Sequence, residues 1–229
     1  ILNAEGEGSV VTFENRETLA AVLTGFTITG GGGTLMDYSS ERFKYYYGGG
    51  IYCRRGSPTI TRNVITNNVV PYSETVVDEV INGYTYRNYY YEWSDGGGIY
   101  CSGGATITDN IIYNNSAETG GGIQAGYAIV RNNLIYNNSA VTGGGVCIYG
   151  GRLENNTIVA NDTSLNPEYG RGGNVYASFG YDHANLVIAN NIICSAGSGG
   201  GLFSIRAGGD AIRFNDVWDN QPANYIAQD

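Results

Sequence analysis

Six stretches that begin on asparagine recur along this chain at almost fixed spacing. Asn63-Val-Ile-Thr-Asn-Asn68, Asn110-Ile-Ile-Tyr-Asn-Asn115, Asn133-Leu-Ile-Tyr-Asn-Asn138 and Asn156-Thr-Ile-Val-Ala-Asn161 align without gaps. Asn191-Ile-Ile-Cys-Ser-Ala196 and Asn215-Asp-Val-Trp-Asp-Asn220 follow, and Phe26-Thr-Ile-Thr-Gly-Gly31 is a copy without asparagines. The leading asparagines stand 47, 23, 23, 35 and 24 residues apart, so 47 is nearly two periods and 35 is one lengthened period. A period near 23 restricts the chain to a stacked-repeat architecture. Helical repeats are longer and carry apolar residues at 3.6 spacing, whereas Ile51-Tyr52-Cys53 and Ile60-Thr61 alternate as strands do. Three short, β-branched strands per period make one coil of a parallel β-helix, and the usual crossover rule makes it right-handed. The expected fold is all-β, a right-handed solenoid of about seven coils forming a single domain over 1–229.

The glycine triplets at 48–50, 96–98, 120–122 and 143–145 mark a corner of each coil. There successive backbones stack closely and glycine takes positive φ without a Cβ clash. The leading asparagines mark another corner, where Asn tolerates the left-handed region and its amide bonds the Asn one coil away. Ile65, Ile112, Ile135, Ile158 and Ile193, with Val217, lie two residues further on and form an inward stack. This row is core, not a binding motif.

Two insertions break the period, at 34–47 and at 69–95. The second contains "ETVVDEVINGYTYRNYYYEW", which alternates about Asn82-Gly83, a strong hairpin signal. It predicts a β-hairpin arm projecting from the solenoid. Both insertions leave the same corner and should stand side by side. A third interruption lengthens the coil between Asn156 and Asn191.

Composition narrows the partners. The chain has 21 acids against 12 bases, a net charge of -9, which argues against nucleic acid and against an anionic membrane surface. No run of 18 apolar residues is present, so no helical span is expected. Tyrosine is abundant, with 20 copies, and it concentrates in the insertions. Tyr45, Tyr46, Tyr47, Tyr84, Tyr86, Tyr89, Tyr90, Tyr91 and Trp93 are the candidate contact surface. Rigid amphipathic rings pack hairpins, but they also favour interfaces and can stack on sugars. A further outward row follows each glycine corner: Tyr52, Tyr100, Gln124, Cys147, Tyr176 and Phe203.

Chemistry-bearing motifs are sparse, and no catalytic or metal-ligating residue is assigned. Glu74, Asp78, Glu79, Glu92 and Asp95 gather on the arm and offer oxygen ligands of the kind that hold Ca2+, but no spacing matches a calcium loop. No cofactor is therefore expected. His183, beside Asp182, forms no triad order, and the glycines at 30–33 lack the Lys and helix of a phosphate loop. Cys53 and Cys101 occupy equivalent coil positions and should be inward neighbours with Cα atoms about one strand spacing apart, inside the disulfide range; directly stacked parallel residues rarely have the Cβ geometry for a bridge, so two buried thiols are favoured over a disulfide. Asn114, Asn137, Asn155 and Asn161 begin Asn-x-Ser/Thr sequons, glycan acceptors only in a suitably secreted chain.

"GFTITGGGG" and the repeated "GGGIYC…TIT.N.I..N" resemble the secreted bacterial right-handed β-helix proteins of the pectate-lyase-like superfamily. The repeats also look like those of polymorphic outer-membrane adhesins. The resemblance covers nearly all of the chain outside the insertions and implies an extracellular or cell-surface location. In the lyases of that superfamily, acids that bind calcium and a basic residue line the outer face of one sheet; here that face offers mainly aromatic residues. The leading expectation is therefore an extracellular structural or adhesive protein, with a filament subunit as one form of it. The alternative is a polysaccharide-active lyase or hydrolase, or a glycan-binding module, with Asp95 and either Glu92 or Asp109 as the carboxylates to test. The chain enters and leaves mid-pattern without a capping helix, so the expected partners are a longer parent chain or a neighbouring subunit.

Overall fold

The computed structural model describes residues 1–164, 170–178, 186–205 and 211–228. Three parallel sheets wind into a right-handed β-helix, and no helix is present among the described residues. The glycine sheet follows each glycine corner and runs through Val11–Phe13, Ile51–Cys53, Ile99–Cys101 and Ile123–Ala125 to Tyr225–Gln228, eight strands in all. The middle sheet has seven strands, such as Thr59–Thr61 and Thr106–Thr108. The asparagine sheet has eight, among them Val64–Thr66, Ile111–Tyr113 and Leu134–Tyr136. Seven coils contribute a strand to all three sheets, bracketed by Leu2–Asn3 and Tyr225–Gln228. Among the described residues no helix is long and apolar enough to cross a membrane.

Register follows the sequence repeat. Ile65, Ile112, Ile135, Ile158 and Ile193 pair in succession, and all five are fully buried. Val217 continues the row but is only half-buried. In the glycine sheet the first and third residues of each strand point inward, so Ile99 and Cys101 stack on Ile51 and Cys53. Stacking like on like lets β-branched side chains share one rotamer along the column.

The corners carry the close approaches. Gly96 has φ +72, and a Cβ on Gly97 would lie 2.4 Å from the carbonyl oxygen of Gly121, so only glycine fits this triplet. The asparagine corner differs from the sequence expectation. The left-handed residue is the one before each ladder asparagine: Asp109 (φ 57), Asn132 (φ 55) and Asn155 (φ 56). The ladder asparagine itself stays in the ordinary region and turns its amide inward. Asn110 Nδ2 donates to the Oδ1 of Asn133, to Thr108 O and to Ile60 O, at 3.0, 2.9 and 2.9 Å. Asn63, Asn133, Asn156 and Asn191 repeat this pattern.

A second ladder was not expected. It runs from Asn68 through Asn115, Asn138 and Asn161. Position 196 is alanine, and Asn174 from the glycine corner replaces the missing amide. Its Oδ1 accepts from Asn161 at 2.9 Å, and its Nδ2 donates to Asn220 at 2.9 Å and to Cys194 O at 2.8 Å. Burying this many amides is tolerable because each finds its partners within the stack.

The two insertions form a separate four-stranded sheet in the order Ser73–Ile81, Tyr84–Asp95, Phe43–Tyr47, Thr34–Leu35. The hairpin turns at Asn82 and Gly83, both with positive φ (52 and 82), as a two-residue primed turn requires. Tyr84–Asp95 then pairs in parallel with Phe43–Tyr47 over Tyr91 to Asp95 only. The Asp182–His183 pair lies outside the described residues.

Candidate functional site

Strand alternation sorts the arm into two faces. One face carries Tyr89, Tyr91 and Trp93, with successive ring centroids 6.2 and 5.1 Å apart. Phe43 and Tyr45 on the neighbouring strand lie 5.8 and 4.9 Å from Trp93. Tyr47 ends that strand and stacks on Tyr100 at 4.5 Å, while Tyr52 follows at 5.7 Å from Tyr100. Tyr38 donates a hydrogen bond to the Tyr47 hydroxyl at 2.9 Å. Tyr38, whose ring centroid lies 5.3 Å from that of Tyr45, thus links the rings of the hairpin to those on the outer face of the glycine sheet through its hydrogen bond to Tyr47.

The other face carries Tyr84, Tyr86, Tyr90, Glu92 and Tyr46. A cleft of about 280 Å³ opens here, lined by Arg42, Lys44, Ser73, Thr75, Tyr90 and Glu92 among others. Lys44 pairs with Glu92 at 3.1 Å, Ser73 donates to Glu92 at 2.9 Å, and the Arg42 guanidinium lies 6.0 Å from the Tyr90 ring centroid. The Glu92 hydrogen bond raises the Lys44 pKa.

Exposure divides the nine aromatic residues picked out in the sequence. Tyr84, Tyr86 and Tyr89 are 71%, 53% and 42% exposed. Tyr45, Tyr46, Tyr47, Tyr91 and Trp93 are half-covered by one another and by the solenoid, and so is Tyr90. The outer row of the glycine sheet is not an open surface. Tyr52 and Cys147 are fully buried and Phe203 nearly so, because neighbouring rungs and the arm's root cover them.

The expected carboxylate pairs do not form. Glu92 and Asp95 are three residues apart on one strand and so face opposite sides. Asp109 sits at the distant asparagine corner, accepting from the Thr108 hydroxyl at 3.0 Å. Instead Asp95 neighbours Glu118, on the next coil. Asp95 bridges Thr119 in the backbone ladder, and the Glu118 amide donates to the Ser94 hydroxyl at 2.8 Å. Burial pushes Asp95 up to about 6, and burial reinforced by the Asp95 charge pushes Glu118 up to about 7. Burial likewise pushes Tyr100 up to about 12 and raises Tyr47 and Tyr149, which also feel Asp95. The signal for Glu118 was present in the repeat: aligning Gly96 with Gly120 sets Ser94 beside Glu118. No group of three or more potential metal ligands gathers among the described residues.

The sequons separate by position. Asn114, Asn137 and Asn155 are exposed at corners, whereas Asn161 is fully buried. Its amide is committed to Ile135 O, Val159 O and Asn174, so Asn161 is not an accessible acceptor. No family model, curated protein or solved structure matches this chain.

Proposed function

We propose that this protein is an extracellular structural or adhesive solenoid, built like the pectate-lyase-like β-helix proteins, whose tyrosine-rich arm makes its contacts. One observation carries the reading. The hairpin's distal half has a free strand edge on each side, because Ser73–Ile81 is the sheet's outer strand and Phe43–Tyr47 pairs only from Tyr91 onward. The same half exposes Tyr84, Tyr86 and Tyr89. Free edges and amphipathic rings together suit strand addition and aromatic anchoring to another chain, foremost a second copy. The hairpin from Thr75 to Tyr91 contributes no residue to the buried core, which leaves contact as its role. Deleting Thr75 to Tyr91 should leave the solenoid folded and abolish association in sedimentation velocity. Unchanged association would overturn the reading.

A second reading, a polysaccharide-active enzyme, is favoured by the Asp95–Glu118 pair. Two partly buried carboxyls with raised pKa values, Asp95 near the stacked tyrosines and Glu118 offset by one residue on the next coil, are groups of the kind that general acid–base chemistry uses. Release of reducing ends or unsaturated uronate from plant or bacterial polysaccharides, lost in Glu118→Gln, would establish it.

A further inference from the structure

The strand register brings only two cysteines of this chain into contact. Cys53 pairs with Cys101 across adjacent coils, and their neighbours in the same column are Phe13 and Ala125. Cys147 lies between Gln124 and Tyr176, and Cys194 between Val159 and Trp218. Both Cys53 and Cys101 are fully buried free thiols. Directly paired strand residues have Cα atoms about 4.8 Å apart, within the range a disulfide spans. The thiols also converge chemically. Cys53 Sγ lies 3.5 Å from Gly56 O and Cys101 Sγ 3.4 Å from Gly103 O, so each can donate to a carbonyl of its own turn. The neighbouring Cys101 and burial raise the pKa of Cys53, whereas the neighbouring Cys53 lowers that of Cys101 against the opposing effect of burial.

We propose that Cys53 and Cys101 are a latent redox pair that closes into a coil-to-coil disulfide when the chain folds against a small-molecule or protein disulfide. The Cys101 thiolate attacks the reagent's disulfide, forming a mixed disulfide and expelling one thiolate. The Cys53 thiol, losing its proton, then attacks the Cys101 sulfur and expels the second thiolate. The reagent takes up two electrons and is released as two thiols, and the protein gains one S–S bond. The consequence follows from topology. The bridge encloses 54–100, which contains the whole arm at 69–95. Coils on either side of the exposed hairpin then stay covalently joined even if the arm is cut. Arg87, the arm's single basic residue, has a side chain 61% exposed and is the natural point of such a cut.

The test uses full-length, folded protein made in a reducing and in an oxidising compartment, selected by its β-sheet circular dichroism. A portion of the reduced protein is also unfolded and refolded in the presence of oxidised glutathione. Thiols are alkylated in denaturant, and tryptic peptides are mapped without reduction. The oxidised samples should contain two alkylated thiols rather than four. Peptides 45–54 and 88–131 should run as one species, two hydrogens lighter than their sum. After nicking at Arg87, oxidised protein should give one band on a denaturing gel and two after reduction, and Cys53→Ser should give two in either case. Four free thiols in the folded oxidised samples, or a bridge using Cys147 or Cys194, would overturn the proposal.

Discussion

The coil and the arm are both β-structure in one chain, yet they are held together by different means. Each coil is determined several times over. In the central coils the inward isoleucine sits in a column of like residues, the asparagines bond to the coils above and below, and the glycine triplet admits no side chain. A shift of one residue would break all three arrangements together. The arm has a single register device at its tip, the Asn82-Gly83 turn, and a five-residue parallel seam at its root. Between them it relies on cross-strand aromatic pairs and on exposed ion pairs such as Arg87–Asp78, which contribute little. The comparison teaches that the repeat spends its sequence on stability, while the insertions leave most of their surface outside the core.

Substitutions in the two regions should therefore differ sharply. The largest effect is expected for Ile135→Ala, which empties a fully buried site between Ile112 and Ile158. Chemical denaturation should show a loss of about 2–5 kcal/mol. Asn133→Ala should follow. It removes an amide that donates to Asn156, Ile107 O and Arg131 O and accepts from Asn110, at a cost of about 1–3 kcal/mol in the same assay.

The seam between coil and arm should respond to pH. Asp95 and Glu118 keep their protons to about pH 6 and 7 in the folded state, whereas an ordinary aspartate and glutamate release theirs at 3.8 and 4.5. The folded state thus binds protons more tightly over that interval. Stability should fall as pH rises from about 4 to 7 and be flat below it. The two raised carboxyls should account for most of that fall. Combining Asp95→Asn with Glu118→Gln should flatten the slope, as read from thermal melts at successive pH values.

The smallest effect is expected at the arm's tip. Tyr84→Ala and Tyr86→Ala remove exposed rings and should change stability by about 0.5 kcal/mol or less. A larger loss would show that the arm supports the solenoid after all.

How much of this was legible in the sequence follows the same division. The isoleucine column and the asparagine ladder could be read because each residue's environment is another copy of itself. The left-handed residue was harder to place, since Asn114, Asn132 and Asn155 stand directly beside sites where asparagine serves as a ladder rung. The substitution of Asn174 for the amide missing at 196 was hidden because it comes from a different corner. The arm's two insertions were visible as departures from the period, and the hairpin from Asn82-Gly83. Their joining into one sheet through Phe43–Tyr47 and Tyr91–Asp95 depends on contacts between segments that no repeat records. The Asp95–Glu118 neighbourhood could be reached only by aligning Gly96 with Gly120, because the two acids belong to different coils and stand one residue out of register.

The account rests on the coil carrying the fold and the arm carrying the contacts, and one deletion addresses both halves. Sedimentation velocity and thermal circular dichroism should be recorded on the full chain and on the chain lacking Thr75 to Tyr91. The account predicts an unchanged β-sheet spectrum, a melting temperature within a few degrees of the parent, and loss of the associated species. A deleted chain that unfolds, or one that folds and associates as the parent does, would contradict it.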